Sequence, residues 1–147
     1  MKNKILIIII VLLILANGIL FKKSQNDSLN LMYDIDELSK LLSEIHPSNV
    51  MIDLRDREDY ENGHISGFIN LPSSDGVDVD NYLKDNELKN KYIYVMCYSG
   101  KRAAVTASLL HDLHYKHIIY ITFGYDDYVQ SQTGFTPEIG ECDCLAD

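Results

Sequence analysis

Apolar residues along the chain follow three patterns. The first is a continuous run, Ile5–Phe21, 17 residues interrupted only by Asn17 and Gly18, with Lys2 and Lys4 before it and Lys22-Lys23 after it. The second is a set of short apolar blocks without polar alternation: Val50–Leu54, Phe68–Leu71, Tyr92–Met96 and Ile118–Ile121. Such blocks predict strands buried on both faces, as in a parallel sheet. The third is helical spacing, clearest at Ile35, Leu38, Leu41, Leu42 and Ile45, where Asp34 serves as N-cap, Glu37 follows three residues on, and Pro47 ends the helix. Further helices are predicted over 56–62, 80–88, 103–113 and from Gly124 to about Ser131, with 73–79 as loop. Strands that alternate with helices imply a three-layer α/β/α domain around a mostly parallel sheet of about five strands. In such sheets ligands gather beyond the carboxyl ends of the strands, which is where Asp53 and Cys97 fall.

The segment Cys97-Tyr98-Ser99-Gly100-Lys101-Arg102 carries the most chemistry. It places a cysteine at the tip of the strand Tyr92–Met96, followed by a short loop with one glycine and two cations that opens a helix. Successive backbone N–H groups in a loop of this kind converge on one point, and the helix dipole adds positive potential there. A thiolate, or an anion attached to it, is stabilised in that setting, so Cys97 is a candidate nucleophile. A free cysteine at a strand end can equally be a small buried hydrophobe, and the strand–Cys–loop–helix pattern alone leaves both readings open.

The long apolar run changes the picture of where the domain sits. As a helix it would measure about 25 Å, at the short end of what spans a bilayer, and flanking lysines can snorkel to close the gap. The absence of a small-x-small cleavage site favours a signal anchor over a cleaved signal peptide for residues 1–23. Residues 24–31 then read as a polar linker, 32–135 as the domain and 136–147 as a tail. The layout of an export signal places the domain on the extracytoplasmic side, anchored in the cell membrane through residues 5–21, or secreted if the N-terminus is cleaved.

Charge excludes one class of partner. Four of the 13 basic residues are the lysines of the first 23 positions, so residues 24–147 carry 9 basic against 22 acidic side chains, a net charge of −13. Such a body is not suited to nucleic acid, whose affinity comes largely from phosphate neutralisation. The cysteines number three, Cys97, Cys142 and Cys144, too few for a disulfide framework. One C-x-C with distant histidines also supplies too few ligands for zinc, and no cofactor is implied.

Two stretches together resemble the rhodanese-like family of single-domain sulfurtransferases. One is Ile52-Asp-Leu-Arg-Asp-Arg-Glu-Asp-Tyr-Glu-Asn-Gly-His-Ile-Ser-Gly-Phe-Ile-Asn-Leu-Pro72; the other is Cys97-Tyr-Ser-Gly-Lys-Arg102, about 25 residues further on. Two motifs in the right order are specific where either alone is weak. The chain departs from the family at Phe123-Gly124-Tyr125, where a Gly-Gly-aromatic step is usual, and it has no tryptophan. The resemblance implies that Cys97 takes a sulfane sulfur from a thiosulfate-like donor, carries it as a persulfide and passes it to cyanide, a small thiol or a protein thiol. Tyr98, Ser99, Gly100, Lys101 and Arg102 would bind the substrate, the loop amides holding the terminal sulfur and the two cations a sulfonate. Asp53 is read as a structural acid with Arg55 as its local partner, and His64 as a source of an orienting hydrogen bond. Four residues separate Cys97 from Arg102, one fewer than in the related phosphatases and arsenate reductases, and the smaller cradle suits sulfur better than phosphate. Two other readings stand beside this one. Cys142 and Cys144 could act as relay or resolving thiols in disulfide exchange with Cys97, or the domain could be a non-catalytic binding module.

Overall fold

The computed structural model describes residues 29–141. The hydrophobic segment 5–21 and the cysteine pair at 142 and 144 therefore lie outside the described residues. Among the described residues no helix is long and apolar enough to cross a membrane.

Five strands, β1 (Asn30–Met32), β2 (Asn49–Asp53), β3 (Phe68–Asn70), β4 (Tyr92–Met96) and β5 (Ile118–Ile121), form one sheet in the order β1-β5-β4-β2-β3. Every pairing is parallel. Among the described residues four helices connect them, α1 (Ile35–Ser43), α2 (Arg57–Asn62), α3 (Val77–Asp85) and α4 (Lys101–Asp112), and α5 (Tyr125–Ser131) follows β5.

Alternate residues of the strands feed two cores. Ile52, Ile93 and Val95 pack with Val79 and Leu83 of α3 and Ala103, Ala107 and Leu110 of α4. Met51, Met96 and Ile121 face the other way, against Leu38 of α1 and Tyr128 of α5. Apolar residues on both faces explain why the strands read as continuous apolar blocks.

The chain passes from β2 to β3 at one edge of the sheet and returns on the other side of β2 as the central strand β4. Strand order thus reverses between β2 and β4, whose last residues Asp53 and Met96 lie in register. Leu54 N–H continues the ladder to the Met96 carbonyl at 2.9 Å. Residues that follow β2 and β4 are thereby brought to the crevice where parallel sheets bind ligands.

Three boundaries differ from the sequence expectation. Residues 30–32, assigned there to the linker and the domain edge, form β1, paired with β5 from Asn30↔Ile119 to Met32↔Ile121. Three residues cannot display a period, and partners some 90 positions away decide their state. Helix α3 starts at Val77 rather than residue 80. Ser73 Oγ accepts from Gly76 N–H at 2.9 Å and Asp75 Oδ1 from Val77 N–H at 3.0 Å, so side chains nucleate the turn earlier. Helix α4 starts at Lys101, because the left-handed Gly100 (φ 77°) sits at its N-cap.

Candidate functional site

Cys97 follows β4 directly and is 1 % exposed, packed at the edge of the core shared by α3 and α4. Tyr98, Ser99 and Gly100 form the loop above it, and Lys101 and Arg102 begin α4. The first N–H groups of a helix have no carbonyl one turn earlier to accept them, so the start of α4 offers donors and a positive dipole end to the loop.

The loop is seated on the β5–α5 connection. Tyr125 N–H donates to the Cys97 carbonyl at 3.1 Å. A Cβ at Gly100 would meet the Thr122 carbonyl oxygen at 2.5 Å, and one at Gly124 would overlap the Tyr98 carbonyl. The Gly124 backbone is ordinary (φ −98°, ψ 171°), so space alone requires glycine there. Phe123, which departs from the family pattern, packs against the core on the α1 and α5 face. The single glycine at 124 therefore provides the close approach.

The loop cation Arg102 has a protein partner. Its Nη1 donates to Asp56 Oδ1 at 2.9 Å and to the Leu54 carbonyl at 3.2 Å. The Tyr98 ring lies 5.1 Å from the guanidinium, and the Tyr98 hydroxyl binds the Asp59 carboxylate. Asp56 N–H in turn donates to that hydroxyl at 3.2 Å. Burial and the bond to Asp59 push the Tyr98 hydroxyl up to about 12, so it stays a donor at neutral pH. The Arg102 hydrogen bond, helped by Tyr98, holds the Asp56 carboxyl below the usual range. Lys101 is exposed.

Asp56 and Asp59 were not singled out from the sequence. They lie three positions apart, at the N-cap and in the first turn of α2, a spacing that puts both on one face. That spacing was the available signal; their partners 40 residues away were not visible.

Asp53 and Arg55 form the expected pair, fully inside the protein. Arg55 Nε and Nη2 reach Asp53 Oδ2 at 2.9 Å each, and Arg55 N–H donates to Oδ1 at 2.9 Å. Burial pushes the Asp53 carboxyl up, and the guanidinium pulls against it. Arg55 Nη2 also donates to the Gly63 carbonyl at 2.8 Å, and the Tyr125 ring covers the guanidinium at 3.6 Å. Asn70, another residue not singled out, donates from Nδ2 to the carbonyls of Asp53 at 3.1 Å and Arg55 at 2.9 Å.

His64 stacks on Tyr60 with ring centroids 3.8 Å apart. Its Nδ1 lies 3.0 Å from the Tyr60 carbonyl and its Nε2 3.5 Å from the Glu138 carboxylate. Backbone bonds in both directions join His64 to Glu138 at 2.9 and 3.0 Å. The structure thus gives its ring partners on α2 and on the C-terminal segment rather than at the Cys97 loop. Among the described residues no group of three His, Cys, Asp or Glu side chains could hold a metal ion.

The arrangement defines a class: an α/β domain with a loop cysteine at the strand-order reversal of a parallel sheet, just before the N-terminus of a helix. The family profile described as the rhodanese-like domain matches residues 34–131, and the chain belongs to that family. It is 38 % identical over 85 residues to a tRNA sulfurtransferase of Thermoplasma acidophilum, covering 53 % of this chain and 16 % of that protein. It is 30 % identical over 78 residues to the putative sulfur carrier protein YrkF of Bacillus subtilis, covering 53 % of this chain and 40 % of that one. The chain thus spans less than half the length of these curated relatives. Among solved structures, the Alr3790 protein from Anabaena sp. shares the fold with a TM-score of 0.61 at 24 % identity, over 75 % of this chain and 81 % of that one. Thiosulfate sulfurtransferase from Pseudomonas aeruginosa does so with a TM-score of 0.61 at 18 % identity, over 77 % of this chain and 21 % of that one.

Two outcomes test this geometry. Gly124→Ala should cost about 1–3 kcal/mol, read from the midpoint of chemical unfolding, because the added methyl must displace the Tyr98 carbonyl. The Asp56 carboxyl, lowered when folded, should keep its pair with Arg102 as pH falls through the unfolded value of 3.8 and lose it only below that. Its NMR titration should return toward 3.8 in Arg102→Ala; an unmoved midpoint would contradict the pairing.

Proposed function

We propose that the chain is a sulfurtransferase in which Cys97 carries a sulfane sulfur as a persulfide and hands it to a thiol or to cyanide. The observation that carries this reading is a cysteine at the end of β4 beneath a loop whose shape is fixed by Gly100, Gly124 and the N-terminus of α4. In the loading step the Cys97 thiolate attacks the outer sulfur of the donor, the donor S–S bond breaks, and the leaving group departs with the bonding pair. In the second step the acceptor attacks the outer sulfur of the persulfide and Cys97 leaves as thiolate. Neither step requires a general base at His64, whose ring is engaged elsewhere. Amides of residues 98–102 are proposed to hold the terminal sulfur, since backbone donors need no reorganisation as charge develops there. Lys101 is the loop cation open to solvent, whereas Arg102 would have to leave Asp56 before binding a donor anion.

Disulfide exchange between Cys97 and Cys142 or Cys144 is a second reading, favoured by one contact. Gly140 N–H donates to the Glu61 carbonyl at 2.9 Å, so the chain leads into its tail from beside α2. Residues 5–21 are proposed to anchor the chain in a membrane with the domain outside, on the strength of the apolar run and its flanking lysines.

Incubated with sulfane donors and weighed intact, the wild-type chain should gain one sulfur atom, removable by cyanide. Cys97→Ser should gain none, and equal gain in that variant would overturn the assignment. The full chain should stay with the membrane pellet after an alkaline carbonate wash, and its release would remove the anchor.

A further inference from the structure

Charges around the Cys97 loop are unequally spent. An open cavity of about 240 Å³ lies beside the loop, with Arg55, Asp59, Tyr98, Tyr125 and Asp126 among its walls. Of the cations near it, Arg55 is 3 % exposed, with Nε and Nη2 bonded to Asp53 and Gly63 and its face under Tyr125. Arg102 is held by Asp56. The carboxylates differ. Asp59 and Asp126 are both exposed, and among the described residues neither has an ion-pair partner. The Tyr98 hydroxyl bonds to Asp59 without neutralising it, since the hydroxyl keeps its proton. Lys101, the remaining loop cation, is a single charge against these two. The wider surface adds to the imbalance, with −13 on residues 24–147. Fields of one sign in a cleft raise the encounter rate of ligands of opposite charge and lower that of like charge.

We propose that Asp59 and Asp126 make the Cys97 site selective for a persulfide donor that is neutral or cationic beside the transferred sulfur, and make dianionic thiosulfate a poor donor. This inference rests on the sulfur-transfer reading of Cys97. Written for a donor R–S–SH, the Cys97 thiolate attacks the terminal sulfur and the S–S bond breaks. RS⁻ leaves with the bonding pair, and Cys97 holds the terminal sulfur with its proton, which water can take. A sulfane sulfur moves from one thiol to another with no net oxidation. The R group is the part of the donor left outside the loop, so its charge is what the two carboxylates sense.

The test is the initial rate of sulfur loading on the full chain, read by intact mass. The probes are freshly made 2-aminoethyl, 2-hydroxyethyl and 2-carboxyethyl persulfides, and thiosulfate. Every rate is taken relative to the neutral 2-hydroxyethyl donor, so that a general loss of loading in a variant cancels. At low salt the aminoethyl donor should load about tenfold faster than the carboxyethyl donor, with thiosulfate slowest, and the ratio should approach one at high salt. In the double variant Asp59→Asn, Asp126→Asn the ratio should fall to about twofold or less at low salt. Equal or faster loading by the carboxyethyl donor or thiosulfate on the wild-type chain overturns the inference, as does a ratio that the double variant leaves unchanged. Absence of loading from all four donors overturns the persulfide reading itself, and this inference with it.

Discussion

Arg55 organises the carboxyl end of the sheet. A guanidinium at 3 % exposure is tolerable only if its hydrogen bonds are met inside the protein, because an unpaired charge there costs several kcal/mol. The partners that meet them come from separate pieces of chain: Asp53 at the end of β2, Gly63 after α2, and the Tyr125 ring at the start of α5. Asn70 of β3 clamps the backbone on both sides of the pair, at Asp53 and Arg55. Tyr125 in turn bonds the Cys97 carbonyl through its amide. A single buried cation thus ties together the ends of β2 and α2 and the start of α5, and through α5 it reaches the floor of the cysteine loop.

This arrangement separates two tasks that arginine and lysine often share near an anion site. Arg55 is structural because its guanidinium is buried and bonded to Asp53 and Gly63. Arg102 is close to the loop but bound across it to Asp56, an acid from the turn after β2. The pair joins the segments that follow β2 and β4, the two strands between which the sheet order reverses. Positive potential at the loop therefore comes from the backbone of α4, whose twelve residues present their amide end there, and from the exposed Lys101.

Much of the architecture was legible from residues alone, for physical reasons. Strands buried on both faces must be apolar throughout, so β2, β4 and β5 announced themselves, and α1 did so through its 3.6-residue stripe and its Asp34 cap. The Asp53–Arg55 pair was readable because its members stand two residues apart. What stayed hidden depended on distant partners. Strand β1 exists because β5 lies beside it, not because Asn30-Leu31-Met32 favours extension. The roles of Asp56 and Asp59 follow from Tyr98 and Arg102 being folded against them. Asn70 seemed an ordinary strand residue until its amide met two carbonyls. Gly124 carried a family signal, but its cause, the nearness of the Tyr98 carbonyl, lies in the tertiary packing.

The segment after α5 returns to α2 and is fastened there twice, by the His64–Glu138 bridge and by Gly140 on Glu61. Cys142 follows that second fastening by two residues in the sequence, and Cys144 by four. Asn62 and Gly63, at the end of α2, also line the cavity beside the cysteine loop. The consequence is kinetic. Any exchange between Cys97 and a tail thiol would be a ring closure within one chain, governed by an effective concentration that the tether sets. Its rate would not depend on how much protein is present, whereas transfer to a thiol on another molecule would.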